Sequence, residues 1–436
     1  MSDFLLNVVG IVLFFFLILL SIGLHEWGHF ATAKRFGAKV TEFMIGFGPK
    51  VWARTRGETS YGLKAIPLGG YVRIVGMYPP AKEGAKPRAG RMAELVSDAR
   101  RQSLAEVEPG DEDRVFYKLP VHQRIIVMLA GPFMNLILAV LLFGAMLMAI
   151  GLPQPTTSVA STLPCVPSSS NPTGEAASDG SCPGPASVAS QAGIEAGDRI
   201  VSINGQPVAA WSDLAPALES AAGQANVVVE RDGQTQSFAV NLTTIDYPVF
   251  DESGEPTGAT EERVFLGVRP QTEYETLPAS SVPAYMWEIT TISVGALMTM
   301  PQRLWELGGT LANNGDRSLE SPVSVVGVSR LGGEIAASEV PANAKIGSFL
   351  GLAASLNLFL FLFNLLPVLP LDGGHVAAAV VEGTRKRIAR IRGKPDPGPV
   401  DTARLLPLTY SVAVLLILVG GMVIWADIVK PITLGG

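Results

Sequence analysis

Two histidines four residues apart are the first residues in this chain whose types and spacing can do chemistry. In His25-Glu26-Trp27-Gly28-His29 the imidazoles at i and i+4 share one helical face. Both can therefore ligate a single zinc ion, and Glu26 stands beside them to handle a proton. A catalytic zinc takes three protein ligands and keeps one position for water, so a third donor must come from elsewhere. The run Asn364-Leu365-Leu366-Pro367-Val368-Leu369-Pro370-Leu371-Asp372-Gly373-Gly374-His375 supplies a candidate, because Asp372 is the acidic residue of an otherwise apolar stretch. Ionisable groups beside apolar helices are costly to retain without a partner. His375 competes with Asp372 for the ligand role, or serves as a hydrogen bonder behind it. The bland alternative for His25 and His29 is a pair of interfacial histidines with a chance glutamate between them. His122, two residues before Arg124 at the entrance to the second apolar helix, reads as an interfacial anchor.

The elements that must position these residues are apolar helices. Of 436 residues, 48% are hydrophobic and 17% charged, and the mean hydropathy of +0.32 is too high for a disordered chain and unusual for a soluble enzyme. The net charge of −6 argues against a generally basic surface, so no nucleic-acid partner is expected. Four stretches are long enough to cross a hydrocarbon core of about 30 Å: Phe4 to Leu24, Ile125 to Ile150, Ile346 to Leu366 and Leu405 to Trp425. The first has no basic flank and no small-residue cleavage site, so it reads as a retained helix and not a secretory signal.

Charge then predicts orientation. Lys34 to Arg124 carries 17 basic against 10 acidic residues, and Glu382 to Arg404 carries 7 against 3. Both segments read as cytoplasmic. Leu152 to Lys345 carries 8 basic against 22 acidic residues, which fits the opposite side. The expected topology has four crossings, both termini outside and one large extracytoplasmic domain. It brings the end of the first helix and Asp372 to the same, cytoplasmic, face.

Between the zinc motif and the second helix, Gly46-Phe47-Gly48 and Tyr61 to Ile74 alternate strand formers with turn formers. They read as short strands or a hairpin whose edge can take up unwound substrate by strand addition, or as a plain cytoplasmic hairpin. Pro79 to Asp113 reads as a solvated segment with one short helix and no chemistry. In the outer region, Gly193 to Gly205 gives a Gly-Asp turn, an alternating strand and an Asn-Gly hairpin turn, which resembles a bacterial PDZ domain. Val227 to Glu230, Ser237 to Leu242 and Val264 to Val268 supply further strands. The Pro, Ser and Gly-rich insertion Ser161 to Pro185 reads as disordered. Within it, Cys165 and Cys182 form a disulfide in an oxidising compartment, or stay as two unpaired thiols. Trp287 to Leu307 reads as a helix lying on the bilayer, and Arg385-Lys386-Arg387 as a surface anchor.

With these motifs in order, the chain resembles the site-2 protease family of intramembrane zinc metalloproteases, in particular its bacterial PDZ-containing members such as the regulator of sigma-E protease. The resemblance rests on His25 to His29, Gly46-Phe47-Gly48, Tyr61 to Gly76, Gly131-Pro132-Phe133-Met134-Asn135, the PDZ-like domain and Asn364 to Gly374. It implies one catalytic zinc held by His25, His29 and Asp372, with Glu26 as acid/base. It also implies that Asn364 helps hold the substrate backbone, alongside Gly46, Phe47, Gly48 and Pro367. One departure is visible: the place five residues after Asn364, a proline in the familiar pattern, is Leu369 here, with Pro370 next. Asn135 reads as a packing amide.

The expected fold is thus a polytopic α-helical membrane protein with four transmembrane helices, a membrane-associated β-loop and one extracytoplasmic PDZ-like β-rich domain. Its segments are residues 1–76 (first helix, zinc motif and β-loop), 77–124 (cytoplasmic polar segment), 125–151 (second helix), 152–275 (PDZ-like domain), 276–345 (outer interfacial segment), 346–381 (third helix with the Asp motif), 382–404 (cytoplasmic basic loop) and 405–436 (fourth helix and outer tail). The resemblance implies a bacterial inner-membrane enzyme acting on single-pass membrane proteins. Anti-sigma factors trimmed outside by another protease are the leading substrates, and the outer domain either binds a peptide or filters by size. A membrane-tethered protease of soluble proteins and a noncatalytic PDZ scaffold are the alternatives.

Overall fold

The first apolar run forms helix α1 (Asp3–Arg35), about 50 Å long at the helical rise. It outlasts a hydrocarbon core of about 30 Å and carries His25, Glu26 and His29 on its last third. Gly37, with φ of 80°, ends it in the left-handed conformation that glycine adopts without strain. The computed structural model describes residues 3–80, 91–168, 171–250, 256–313 and 315–433. It divides into two compact units, Met1–Ala149 with Pro278–Gly436, and Ile150–Leu277.

After α1 come strands β1 (Val40–Arg56) and β2 (Thr59–Ile74), longer than the short strands expected. The hairpin folds over itself, so residues 42–45 have partners both at 70–73 and at 60–63, while 50–56 pair only near its turn. Residues 70–74 are left as a rim with no second strand beside them among the described residues. At the turn, Glu58 accepts from Arg114 Nη2 at 2.7 Å and pairs with Lys34, fastening the hairpin to the end of α1. Helix α2 (Arg91–Ala105) follows; residues 81–90 of the charge-rich segment lie outside the described residues. Helix α3 (Val121–Ala145) continues through a π turn, Met146–Ile150.

The second unit contains β3 (Leu152–Thr162), α4 (Val188–Ala192), β4 (Arg199–Ile203), β5 (Gln206–Pro207), α5 (Leu214–Ser220), β6 (Gly223–Arg231), β7 (Gln234–Phe250), β8 (Pro256–Phe265) and β9 (Val268–Glu275). Its sheet runs in the order β8-β7-β6-β4-β3-β9, with β5 beside β4. Alternation along β4 and β6 puts Ile200, Ile203, Val227 and Val229 into a core with Leu214, Leu218 and Leu266. Asn204 and Gly205, both at positive φ, make the tight turn between β4 and β5. Buried Asp198 accepts from Arg231 Nε at 2.6 Å and from the Glu195 amide at 2.9 Å, closing the Gly-Asp turn.

The insertion expected to be disordered is instead tied down in its described part; residues 169 and 170 lie outside it. Cys165 and Cys182 are disulfide-bonded. Val166 N donates to Pro185 O at 2.9 Å, and Arg269 Nη2 to Glu175 Oε1 at 2.9 Å. Composition measures how little apolar surface the segment can bury. It does not count a cross-link, which removes about 3 kcal/mol of chain entropy from a loop of this size.

The chain then forms α6 (Val282–Asn313), α7 (Val325–Ala337), α8 (Ala342–Asn364), α9 (Asp372–Ile391) and α10 (Leu406–Val429). Four described helices are long and apolar enough to cross a membrane: Asp3–Arg35, Val121–Ile150, Ala342–Asn364 and Thr402–Val429. Helix α6 outruns the stretch read from sequence, and exposes Trp287 and Trp305. Phe14 and Ile18 of α1 pack with Val325 and Val328 of α7, Ala353 of α8 and Leu142 of α3. The third apolar stretch does not run on into the aspartate as one helix through 381. It stops at Asn364, because Pro367 and Pro370 cannot continue the ladder, and a new helix starts at Asp372.

Candidate active site

Asp372 sits in the first turn of α9, where the helix dipole favours a carboxylate. The two glycines after it let the preceding loop fold back onto that turn. A Cβ at Gly373 would lie 2.4 Å from the carbonyl oxygens of Leu365 and Leu366, and one at Gly374 would lie 2.5 Å from Leu369 N. The loop thereby returns the carboxylate toward α1. Its place is further set by a buried ion pair: Arg124 of α3 donates to Glu382 of α9 at 3.0 Å through Nη1 and again through Nη2, and Val400 N adds a bond of 2.9 Å to the same carboxylate.

The result is a nearly equilateral triangle of donor atoms. His25 Nε2 and His29 Nε2 are 3.2 Å apart, and Asp372 Oδ2 lies 3.2 Å from the first and 3.3 Å from the second. Tetrahedral zinc with bonds of about 2.0–2.1 Å requires ligand atoms about 3.3 Å apart. Asp372 Oδ2 is also buried without a hydrogen-bond partner among the described residues, as an oxygen reserved for a cation would be. The donor set therefore fits zinc. Among the described residues these three are the group of that kind that can hold a metal. His375 stands outside the triangle and lines the adjoining cavity.

Helix α3 supplies the support behind both imidazoles, which the sequence reading missed. His29 Nδ1 is 2.8 Å from Val127 O, leaving Nε2 for the triangle. Gly131, one turn on, is where the His29 ring fits: a Cβ there would lie 2.2 Å from Nε2. One turn further, Asn135 Nδ2 is 3.3 Å from His25 Nδ1. The expectation that Asn135 only packs is thus corrected. Val127, Gly131 and Asn135 recur every four residues and so form one stripe of α3, and that spacing inside the Gly131 to Asn135 motif was the signal available in the sequence.

A cavity of about 330 Å³ opens on the triangle, lined by His25, Glu26, His29, Asn364, Asp372 and His375 and walled by Gly70, Tyr71 and Val72 of the hairpin rim. Gly70 is required there: a Cβ would stand 2.8 Å from Glu26 Cγ and 3.0 Å from Met44 O. Asn364 reaches the cavity wall, where its Nδ2 donates to Leu360 O at 3.0 Å. Gly46, Phe47, Gly48 and Pro367 are not among the lining residues; Gly70, Tyr71, Pro370 and Leu371 occupy those places. Phe47 stacks on Tyr71 with ring centroids 6.4 Å apart, so it backs the rim and does not face the cavity.

Paired imidazoles and an adjacent glutamate on a helix of membrane length, met by a carboxylate from the start of α9, define the class: a membrane-associated metal-dependent hydrolase. The comparisons narrow it. A family model for peptidase family M50 matches residues 13–395. The zinc metalloprotease Rip1 of Mycobacterium tuberculosis is 35% identical over 98% of this chain and 99% of that protein. Rip1 of Mycobacterium bovis is 35% identical over the same shares, and Rip1 of Mycolicibacterium smegmatis 34% identical over 98% of each. The chain belongs to peptidase family M50, the site-2 protease family of intramembrane zinc metalloproteases.

Proposed function

We propose that this enzyme cleaves peptide bonds inside the membrane-spanning segments of single-pass membrane proteins, in regulated intramembrane proteolysis. Anti-sigma factors already trimmed on the outer side are the substrate class. The observation that carries this reading is one cavity lined together by the donor triangle, by Glu26 and by Gly70, Tyr71 and Val72 at the outer edge of the β-hairpin.

His25, His29 and Asp372 would hold one zinc ion, the histidines through Nε2 and the aspartate through a carboxylate oxygen. When bound, zinc lowers the pKa of water toward about 7 and polarises the scissile carbonyl. Glu26 takes the proton of the attacking water on its carboxylate and returns it to the amine nitrogen of the leaving half. A helical substrate hides its own peptide bonds, and an unwound one strands main-chain groups in lipid. The rim at residues 70–74 satisfies those groups by strand addition, beside the base. Asn364 turns its amide from Leu360 O to the substrate backbone. By the charge argument, the termini and the unit Ile150–Leu277 lie outside the cell and the site faces the cytoplasmic side. The outer unit is PDZ-like, from its Gly-Asp turn and Asn-Gly hairpin, and admits substrates by binding a peptide or by excluding bulk.

Glu26→Gln tests this. The variant is expected to keep wild-type zinc content and to lose cleavage of a reconstituted single-pass substrate by about 100-fold or more. Mass spectrometry of wild-type products is expected to place the cut inside the apolar segment. Full activity in Glu26→Gln would remove the base, and a cut outside the apolar segment would favour a tethered protease of soluble chains.

A further inference from the structure

The amide of Asn135 is 1% exposed, with its Oδ1 buried and unpartnered and its Nδ2 facing His25 Nδ1 at 3.3 Å. A buried polar atom without a partner is costly, so an asparagine in an apolar helix calls for a reason. Its neighbour supplies one. The donor triangle uses His25 Nε2. An imidazole that coordinates through Nε2 carries its proton on Nδ1 and needs an acceptor there. The backbone oxygen of Val127 meets that need for His29. For His25 the corresponding place, two turns along the same stripe of α3, is filled by a side chain.

From this we infer that Asn135 is the positioning residue for His25, accepting the Nδ1 proton through Oδ1 and so fixing both the ring plane and the tautomer that presents Nε2. A half-turn of the amide exchanges Oδ1 and Nδ2 with almost no change of shape. Asparagine can therefore face either tautomer: Nδ2 donates to a bare Nδ1, and Oδ1 accepts from a protonated one. An aspartate would accept equally well but would add a second buried carboxylate beside Asp372. The neutral amide orients the ligand and leaves the charge of the site unchanged.

This inference rests on the zinc reading of the triangle, and its test separates the two. Zinc dissociation constants are measured by chelator competition on full-length wild type, His25→Ala, Asn135→Leu and Asn135→Asp in detergent. Thermal unfolding of each is recorded in the metal-free form. Wild type is expected to bind zinc and His25→Ala to bind it weakly. Asn135→Leu, matched in size but without an acceptor, is expected to lose about 10- to 100-fold in affinity. Asn135→Asp, which keeps the acceptor, is expected to stay within about threefold of wild type or to bind more tightly. Equal affinity in wild type and Asn135→Leu overturns the role of Asn135 alone. An equal loss in the leucine and aspartate variants also overturns it, because mere packing would be disturbed by both. A wild type that binds no zinc overturns the site itself. Should leucine prevent insertion, Asn135→Ala provides the same comparison.

Discussion

Adding a single methyl group at Gly131 should empty the metal site. The Cβ of Gly131→Ala would be placed 2.2 Å from His29 Nε2 and 2.7 Å from the two ring carbons beside it. Comfortable contact for such atoms is about 3.5 Å, so the ring must retreat by more than about 1 Å. It has little freedom to do so. Its Nδ1 is held at 2.8 Å by Val127 O. The helices cannot simply separate, because they meet closely at Gly28, where a Cβ would be 2.4 Å from Ala130 O. Metal–ligand distances tolerate about 0.2 Å, so a displacement of this size takes His29 out of the donor set. Zinc affinity should fall by about 100-fold or more, and cleavage with it. Elemental analysis of purified protein and cleavage of a reconstituted substrate read the two effects. Gly144→Ala, on the same helix, meets only Met148 Cε at 3.7 Å and should behave as wild type. Full zinc occupancy and full activity in Gly131→Ala would refute the claim that α3 shapes the site around His29.

Two further predictions concern the scaffold. Glu382→Ala leaves Arg124, which is 8% exposed, buried without its main partner. It should destabilise the protein by about 3–5 kcal/mol and lower zinc retention as α9 loosens, seen as a lower melting temperature and faster loss of zinc to chelator; an unchanged melting temperature would show that α9 is held by other contacts. Hydrogen bonds from Arg114 and Lys34 hold the Glu58 carboxyl at about 2. A carboxylate depressed in the folded state stabilises above its unfolded value and loses that contribution as pH falls through the folded one. The melting temperature of wild type should therefore drop more steeply than that of Glu58→Gln between about pH 4.5 and pH 2, and parallel curves would sink the argument.

Much of the site's chemistry was legible because it is local. The spacing of His25 and His29 places both on one face of any helix, and Asp372 drew notice as an acid among apolar residues. What escaped notice was non-local or chemically ambiguous. Gly131 carries no functional group, and its importance is the room it leaves for a ring on another helix. Asn135 looks the same in sequence whether it packs or orients a ligand. Of the hairpin edge expected at the substrate, Gly70, Tyr71 and Val72 line the cavity and Gly46, Phe47 and Gly48 do not, because the hairpin folds over itself and that fold-back decides which part forms the rim. The disulfide of Cys165 and Cys182 is foreseeable from the two cysteines, but the order of the insertion around them is not, because composition has no term for a covalent closure.

Amino-acid order alone determined which segments are apolar enough to be membrane helices and which residue types are available to bind a metal and move a proton, since helix periodicity and hydropathy are properties of neighbours along the chain. Tertiary structure decided that Asp372 meets His25 and His29 at ligand distance, that α3 backs both imidazoles, and that a strand edge lies beside Glu26. Those outcomes depend on how closely helices distant in sequence can approach, and that is set by the shapes of facing side chains, often by the absence of one.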